Sequence, residues 1–167
     1  KQYLPEFKPL YRLDPDDPIT IGALTMSEYL TEAKMAQNEA LKNALPEIVT
    51  AWDELAEITG RQYRPVEKLH EDSSETLFLT MGSISGIVSE AVNQLREQGE
   101  SVNLLKLRLF RPFPFKALKE AVGNARRVIV IDRAVSFGGP PGPVASEIRS
   151  AFYSDTHRPR ISGFICG

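Results

Sequence analysis

Ser101-Val-Asn-Leu-Leu-Lys-Leu-Arg-Leu-Phe-Arg-Pro-Phe-Pro114 and, beyond a helical stretch, Arg127-Val-Ile-Val-Ile-Asp-Arg-Ala-Val-Ser-Phe-Gly-Gly-Pro-Pro-Gly142 are the two runs that decide the fold. An apolar run ending in Arg-Pro-Phe-Pro must leave a sheet there, because proline has no N–H to donate and restrains the residue before it. The second run ends at Asp132 and passes through a glycine-rich turn into another helical pattern. Two strand–loop–helix units in tandem predict a layered α/β domain with a largely parallel sheet.

Working outward, Thr76-Leu-Phe-Leu-Thr-Met81 reads as a buried strand. The turn Gly82-Ser-Ile-Ser-Gly86 follows, then a helix to about Gln98 with Ile87, Val88, Ala91, Val92 and Leu95 inward and Gly99 as its stop. The second strand is expected over 102–110 and a helix over 115–122. A third strand over 128–132, a helix over 143–153 and a last strand over 161–165 complete the set. Upstream, Tyr63-Arg-Pro-Val-Glu67 can form a short edge strand.

Residues 27–60 read as one long helix, with Ser27 as a candidate cap. Leu41, Leu45, Ile48, Trp52 and Leu55 share one stripe of it. Pro46 predicts a kink or a restart, and Gly60 a left-handed stop. Residues 1–26, with Pro5, Pro9, Pro15, Pro18 and the acidic run 14–17, have no sustained period. They are expected to be an extended connector from a preceding domain, followed by the 27–60 helix packed on the core and the αβα domain over 61–167.

The bulk numbers exclude several functions. Net charge is −2 over 167 residues, which offers no electrostatic case for nucleic acid or an anionic membrane. Apolar stretches are of strand length, far below the roughly 20 residues that span a bilayer, and no secretory leader is expected at Lys1-Gln-Tyr-Leu-Pro5. Cys166 is the one cysteine, which fits a reducing cytoplasm. A single thiolate cannot hold an iron–sulfur cluster, which takes about four. A start without methionine and an end at Ile-Cys-Gly suggest a piece of a longer polypeptide.

Candidate sites are sparse. Gly82, Ser83 and Ser85 sit where a strand hands over to a helix, and backbone N–H groups there attract anions. The P-loop lysine and the dinucleotide glycine spacing are missing, and Ile84 stands where a nucleophile elbow needs serine. A tight turn with a helix start is the favoured account, an anion site the alternative. Gly138-Gly-Pro-Pro-Gly142 allows the same two readings, with prolines weakening a cradle of N–H donors. Glu71, Asp72 and Glu75 precede a strand in a serine-rich loop, where solvation argues against acid–base work. His70 and His157 lie apart in loops, so no metal site or nucleophilic triad is expected.

One oddity remains in the second strand. Leu105, Leu107 and Leu109 alternate with Lys106, Arg108 and Phe110, although a doubly covered strand should be apolar on both faces. Either the strand lies near the sheet edge or its polar face meets another domain. Arg108, Arg111 and Arg133 would then gather at the carboxyl ends of neighbouring strands, where open α/β sheets bind ligands and partners. Arginine suits ionic pairing across an interface, and that is the reading favoured here.

The run from Gly82-Ser83 through Leu107-Arg-Leu-Phe-Arg-Pro-Phe-Pro114 to Val128-Ile-Val-Ile-Asp-Arg133 and Gly138-Gly139 resembles one module. It is similar to the second domain of the α subunit of 2-oxoacid:ferredoxin oxidoreductases, most closely the pyruvate enzymes. Asp14-Pro-Asp-Asp-Pro-Ile-Thr-Ile-Gly22 and Gly60-Arg-Gln-Tyr63 extend the resemblance over nearly the whole chain. It implies a three-layer αβα fold with a mixed, mostly parallel sheet, similar to transketolase C-terminal domains and preceded here by the long helix. It further implies a parent enzyme using thiamine diphosphate, iron–sulfur clusters and CoA to turn pyruvate into acetyl-CoA with ferredoxin as acceptor. Those cofactor sites belong to other domains and subunits, so no catalytic residue carries over. The expected role is assembly, with the other domains and subunits as partners and the chain by itself inactive. The alternatives are a module binding CoA or another phosphate ester at the strand ends, and the equivalent domain of a transketolase-type 2-oxoacid dehydrogenase.

Overall fold

A computed structural model describes residues 4–19, 21–22, 24–140 and 142–167. The chain divides into two compact units, Lys1–Glu39 and Ala40–Gly167. In the first, no helix or strand precedes Ser27 among the described residues. Asp14 makes a local turn there, accepting from Asp16 N at 3.1 Å and pairing with Arg12 at 2.9 Å. Residues 1–3, 20 and 23 of the predicted connector lie outside the described residues.

The predicted long helix is two. Helix α1 spans Ser27–Asn43 and α2 spans Leu45–Thr59. Pro46 causes the restart: it has no N–H for the preceding turn, and it sits instead at the beginning of α2 where none is needed. Gly60 ends α2 at φ 70°, its N–H bonding Ala56 O at 2.7 Å. Ser27 lies inside α1, and Met26 O accepts the first bonds, from Tyr29 and Leu30. The predicted inward stripe is at most half-buried, with Leu45, Ile48 and Trp52 half-covered and Leu41 and Leu55 exposed.

The rest of the second unit is a five-stranded sheet with helices on both faces. Its strands are β1 Val66–Lys68, β2 Thr76–Met81, β3 Val102–Leu107, β4 Arg127–Asp132 and β5 Arg160–Ile165. They lie in the order β1-β3-β2-β4-β5. All pairs are parallel except the edge pair β1–β3, so the sheet is mixed and mostly parallel. Helices α3 Ile84–Glu97, α4 Phe115–Val122 and α5 Pro143–Phe152 form the outer layers. None of the described helices is long and apolar enough to cross a membrane.

Side chains alternate across the sheet because the strand period is two. Leu77, Leu79, Leu105, Leu107, Val128 and Val130 face one side and pack with Leu118 and Val122 of α4 and Val144, Ala145 and Ile148 of α5. Phe78, Val102, Leu104 and Ile131 face the other, with Ile84, Val88 and Val92 of α3. The first group includes several side chains with no exposed surface, each worth about 1.5–3 kcal/mol of burial.

Two predicted elements need correction. The strand expected over 102–110 ends at Leu107, because β1 is only three residues long and Arg108 N and Leu109 N both turn to Pro65 O. This removes most of the alternation puzzle: within β3 only Asn103 and Lys106 are polar, and Arg108, Leu109 and Phe110 lie past its end. Helix α3 begins at Ile84, inside the glycine segment, so its inward face is Ile84, Ser85, Val88 and Val92. Ile87 is 76% exposed and Ala91 is exposed as well.

Candidate functional site

The carboxyl rim of the sheet carries Gly82, Ser83 and the three arginines. Contrary to expectation, β2 lies between β3 and β4, so Arg108 and Arg111 do not follow a strand neighbouring that of Arg133. Gly82 leaves β2 with φ 80°, a backbone state that favours glycine, and hands over to α3. Ser83 follows at the helix start, and its Oγ accepts a hydrogen bond from Arg133 Nη1 at 3.1 Å. Arg133 comes from the residue after β4, which neighbours β2, so sheet order brings these groups together. Ser85 does not join them. It is buried and its hydroxyl shares a hydrogen bond with Thr80 Oγ1 at 2.9 Å beneath the helix. The candidate anion site thus reduces to Gly82, Ser83 and Arg133.

Arg108 and Arg111 stand beyond β3, each with a partner in the chain. Arg108 pairs with Glu67 of β1 at 2.9 Å, and its guanidinium lies 5.4 Å from the centre of the Tyr63 ring. Arg111 reaches Glu147 of α5 and stacks over Phe110 at 4.3 Å. Both remain exposed, and an exposed pair contributes only about 0–1 kcal/mol. These arginines are held in place by neighbours while keeping a face to solvent.

The second glycine-rich turn has a clear outcome. Asp132 ends β4 in a buried position and accepts Val144 N at 3.1 Å and Ala145 N at 3.0 Å. The anion-attracting start of α5 is therefore filled by a carboxylate of the chain itself. Gly142 lies against this carboxylate, and Pro141 of the predicted rigid turn lies outside the described residues. Asp132 was legible only as a strand end. The sign that could have revealed its cap is an aspartate at a strand terminus, a glycine turn away from a helix start.

The acidic loop is solvated: Glu71, Asp72 and Glu75 are exposed. A hydrogen bond from Arg96 holds Asp72 below the usual carboxylate range, and Asp53 is lowered likewise, first by Arg64 and then by Gln62. His70 bonds Asn93 Oδ1 at 2.9 Å, and the buried Asn103 side chain clamps the His70 backbone, a tie the sequence reading missed. His157 is exposed in a loop. Among the described residues no three His, Cys, Asp or Glu side chains gather as a metal site, and Cys166 is alone. These residues do not fit an iron–sulfur cluster. At the opposite, amino rim lies a cavity of about 570 Å³ lined by Ser73, Ser74, Ser101, Asn124 and Arg126 among others. It shares no residue with the arginine rim.

Comparisons with known proteins agree with this architecture. A family model described as pyruvate:ferredoxin oxidoreductase core domain II matches residues 74–167. Pyruvate synthase subunit PorA of Methanothermobacter thermautotrophicus is 37% identical over 99% of the chain and 42% of its own length. The PorA of Thermotoga maritima is 36% identical over 100% of the chain and 43% of its own length. Ketoisovalerate oxidoreductase subunit VorA of Pyrococcus abyssi is 37% identical over 99% and 42%. The chain thus spans about two-fifths of the length of these relatives. The match over β2 to β5 and the three helices between them shows that the chain belongs to the pyruvate:ferredoxin oxidoreductase core domain II family.

Proposed function

We propose that the chain is the assembly domain of the α subunit of a pyruvate:ferredoxin oxidoreductase, holding a catalytic domain and partner subunits in register. The family match over 74–167 carries this reading. The parent enzyme would decarboxylate pyruvate oxidatively with thiamine diphosphate, pass electrons through iron–sulfur clusters to ferredoxin and form acetyl-CoA. None of that chemistry is assigned to residues here: the one cysteine cannot hold a cluster, and the anion-attracting start of α5 is taken by Asp132. Arg108, Arg111 and Arg133 are the proposed interface groups. A reducing cytoplasm suits a complex of this kind and the lone Cys166. Pyruvate is favoured as substrate by the PorA relatives, although VorA is equally similar in this region. Substrate choice is therefore not written in this stretch.

Three observations test the proposal. The chain supplied with pyruvate, thiamine diphosphate, CoA and a dye acceptor is expected to show no turnover, and activity would overturn the assembly role. Calorimetric titration with CoA and with thiamine diphosphate is expected to give no heat. Micromolar binding lost in Arg133→Ala would instead establish the phosphate-ester site at Gly82, Ser83 and Arg133. Genes beside the parent gene are expected to encode ferredoxin-like cysteine clusters. Their absence would favour a lipoamide- or NAD-linked dehydrogenase.

A further inference from the structure

The two faces of the sheet are covered unequally. Helices α4 and α5 share one face, with α5 over β4 and β5, whereas on the other face α3 lies over β2 and β3. The register fixes what β4 and β5 present on that second face. Arg127 stands beside Arg160, Ile129 beside Ser162, and Ile131 beside Phe164. Phe164 is 58% exposed. The flank of α3 that borders this strip follows from its wheel. Asn93 and Arg96 reach His70 and Asp72, which follow β1, so the opposite flank with Ile87 and Ala91 lies toward β4. Ile87 is the most exposed large apolar residue of α3. Ile129, Ile131 and Phe164 thus form an apolar strip bordered by Ile87.

The charge at its amino end says what fits. Arg127 and Arg160 are direct neighbours on adjacent strands, an arrangement of like charges that costs stability unless something negative answers it. Among the described residues the Arg127 side chain has only the neutral Thr76 Oγ1, at 2.9 Å. Arg160 has no side-chain partner among the described residues. A strand of six residues is about 20 Å long, the length of a helix of about 13 residues.

Resting on the assembly reading, we propose that this strip is the seat of an amphipathic helix from another domain or subunit of the oxidoreductase. Its apolar stripe covers Ile129, Ile131, Phe164 and Ile87, and carboxylates in one terminal turn neutralise Arg127 and Arg160. The helix completes the missing half of the third layer at the usual helix spacing of about 8–10 Å from α3.

The test uses the full-length subunit assembled with its partners and carrying Phe164→p-benzoylphenylalanine. Irradiation is expected to cross-link residue 164 to a helical segment bearing at least two carboxylates. Arg160→Glu should cut the cross-link yield about tenfold, the scale of one broken charge-assisted contact, and Arg160→Lys should keep most of it. Hydrogen exchange over 127–132 shows whether each variant is folded. An assembled, active complex with no cross-link, with a cross-link to a segment lacking carboxylates, or with yields indifferent to Arg160→Glu overturns the inference and leaves the assembly reading standing. Failure of the subunit to join any complex overturns both.

Discussion

A methyl group on Gly142 would stand 2.0 Å from Asp132 Oδ2, and the backbone there has φ of +67°. Both facts come from one arrangement, in which the buried carboxylate closes the start of α5. Gly142→Ala is expected to cost about 2 kcal/mol or more in urea unfolding, through clash and strain. Asp132→Ala should be at least as harmful, since two buried N–H donors lose their acceptor at roughly 1–3 kcal/mol each. A loss under half a kcal/mol in both would contradict the cap. Asp53 and Asp72 titrate below the usual carboxylate range, so their ion pairs support the fold above about pH 4. That support is flat between neutral pH and about pH 5 and is lost as pH falls through the lowered folded-state values. Carboxyl carbon shifts should show the low midpoint for Asp72 and its return toward normal in Arg96→Ala. An unchanged midpoint would remove Arg96 as the cause.

At the scale of elements, the strands and helices of 76–165 were legible because each apolar run is bounded by glycine or proline. The phase of α3 was legible only in part. Gly82 to Gly86 looks like a loop by composition, yet only Gly82 has the left-handed backbone, and Gly86 sits within the helix. Of the predicted inward face Val88, Val92 and Leu95 do pack inward, whereas Ile87 and Ala91 are exposed and Ile84 and Ser85 are buried in their stead. Ile84→Ala is therefore expected to cost about 2–5 kcal/mol, and Ile87→Ala within about half a kcal/mol of nothing, by chemical denaturation of both variants. The reverse order would restore the sequence-derived phase. The end of β3 was missed for a non-local reason: Arg108 N and Leu109 N bond Pro65 O, over forty residues away in sequence, and no pattern within 101–114 records it.

At the scale of the whole molecule, the parallel class of the sheet was readable, whereas the order β1-β3-β2-β4-β5 was not, since it depends on which distant runs pair. The same order explains the site. It sets Arg133 beside Ser83 across neighbouring strands, and the crossover after β3 carries Arg111 to Glu147 of α5. The acceptors of the three arginines lie between 36 and 50 residues away in sequence, so the sequence named the donors only. The role proposed for this rim is to hold the enzyme together without taking part in its chemistry. The direct test is the fraction of full-length subunit recovered in the assembled oxidoreductase when Arg108, Arg111 and Arg133 are all replaced by alanine. We predict a fall of about tenfold or more, with the KM for CoA unaltered in the complex that still forms. Full assembly together with a raised KM for CoA would contradict the account and make the rim a ligand site.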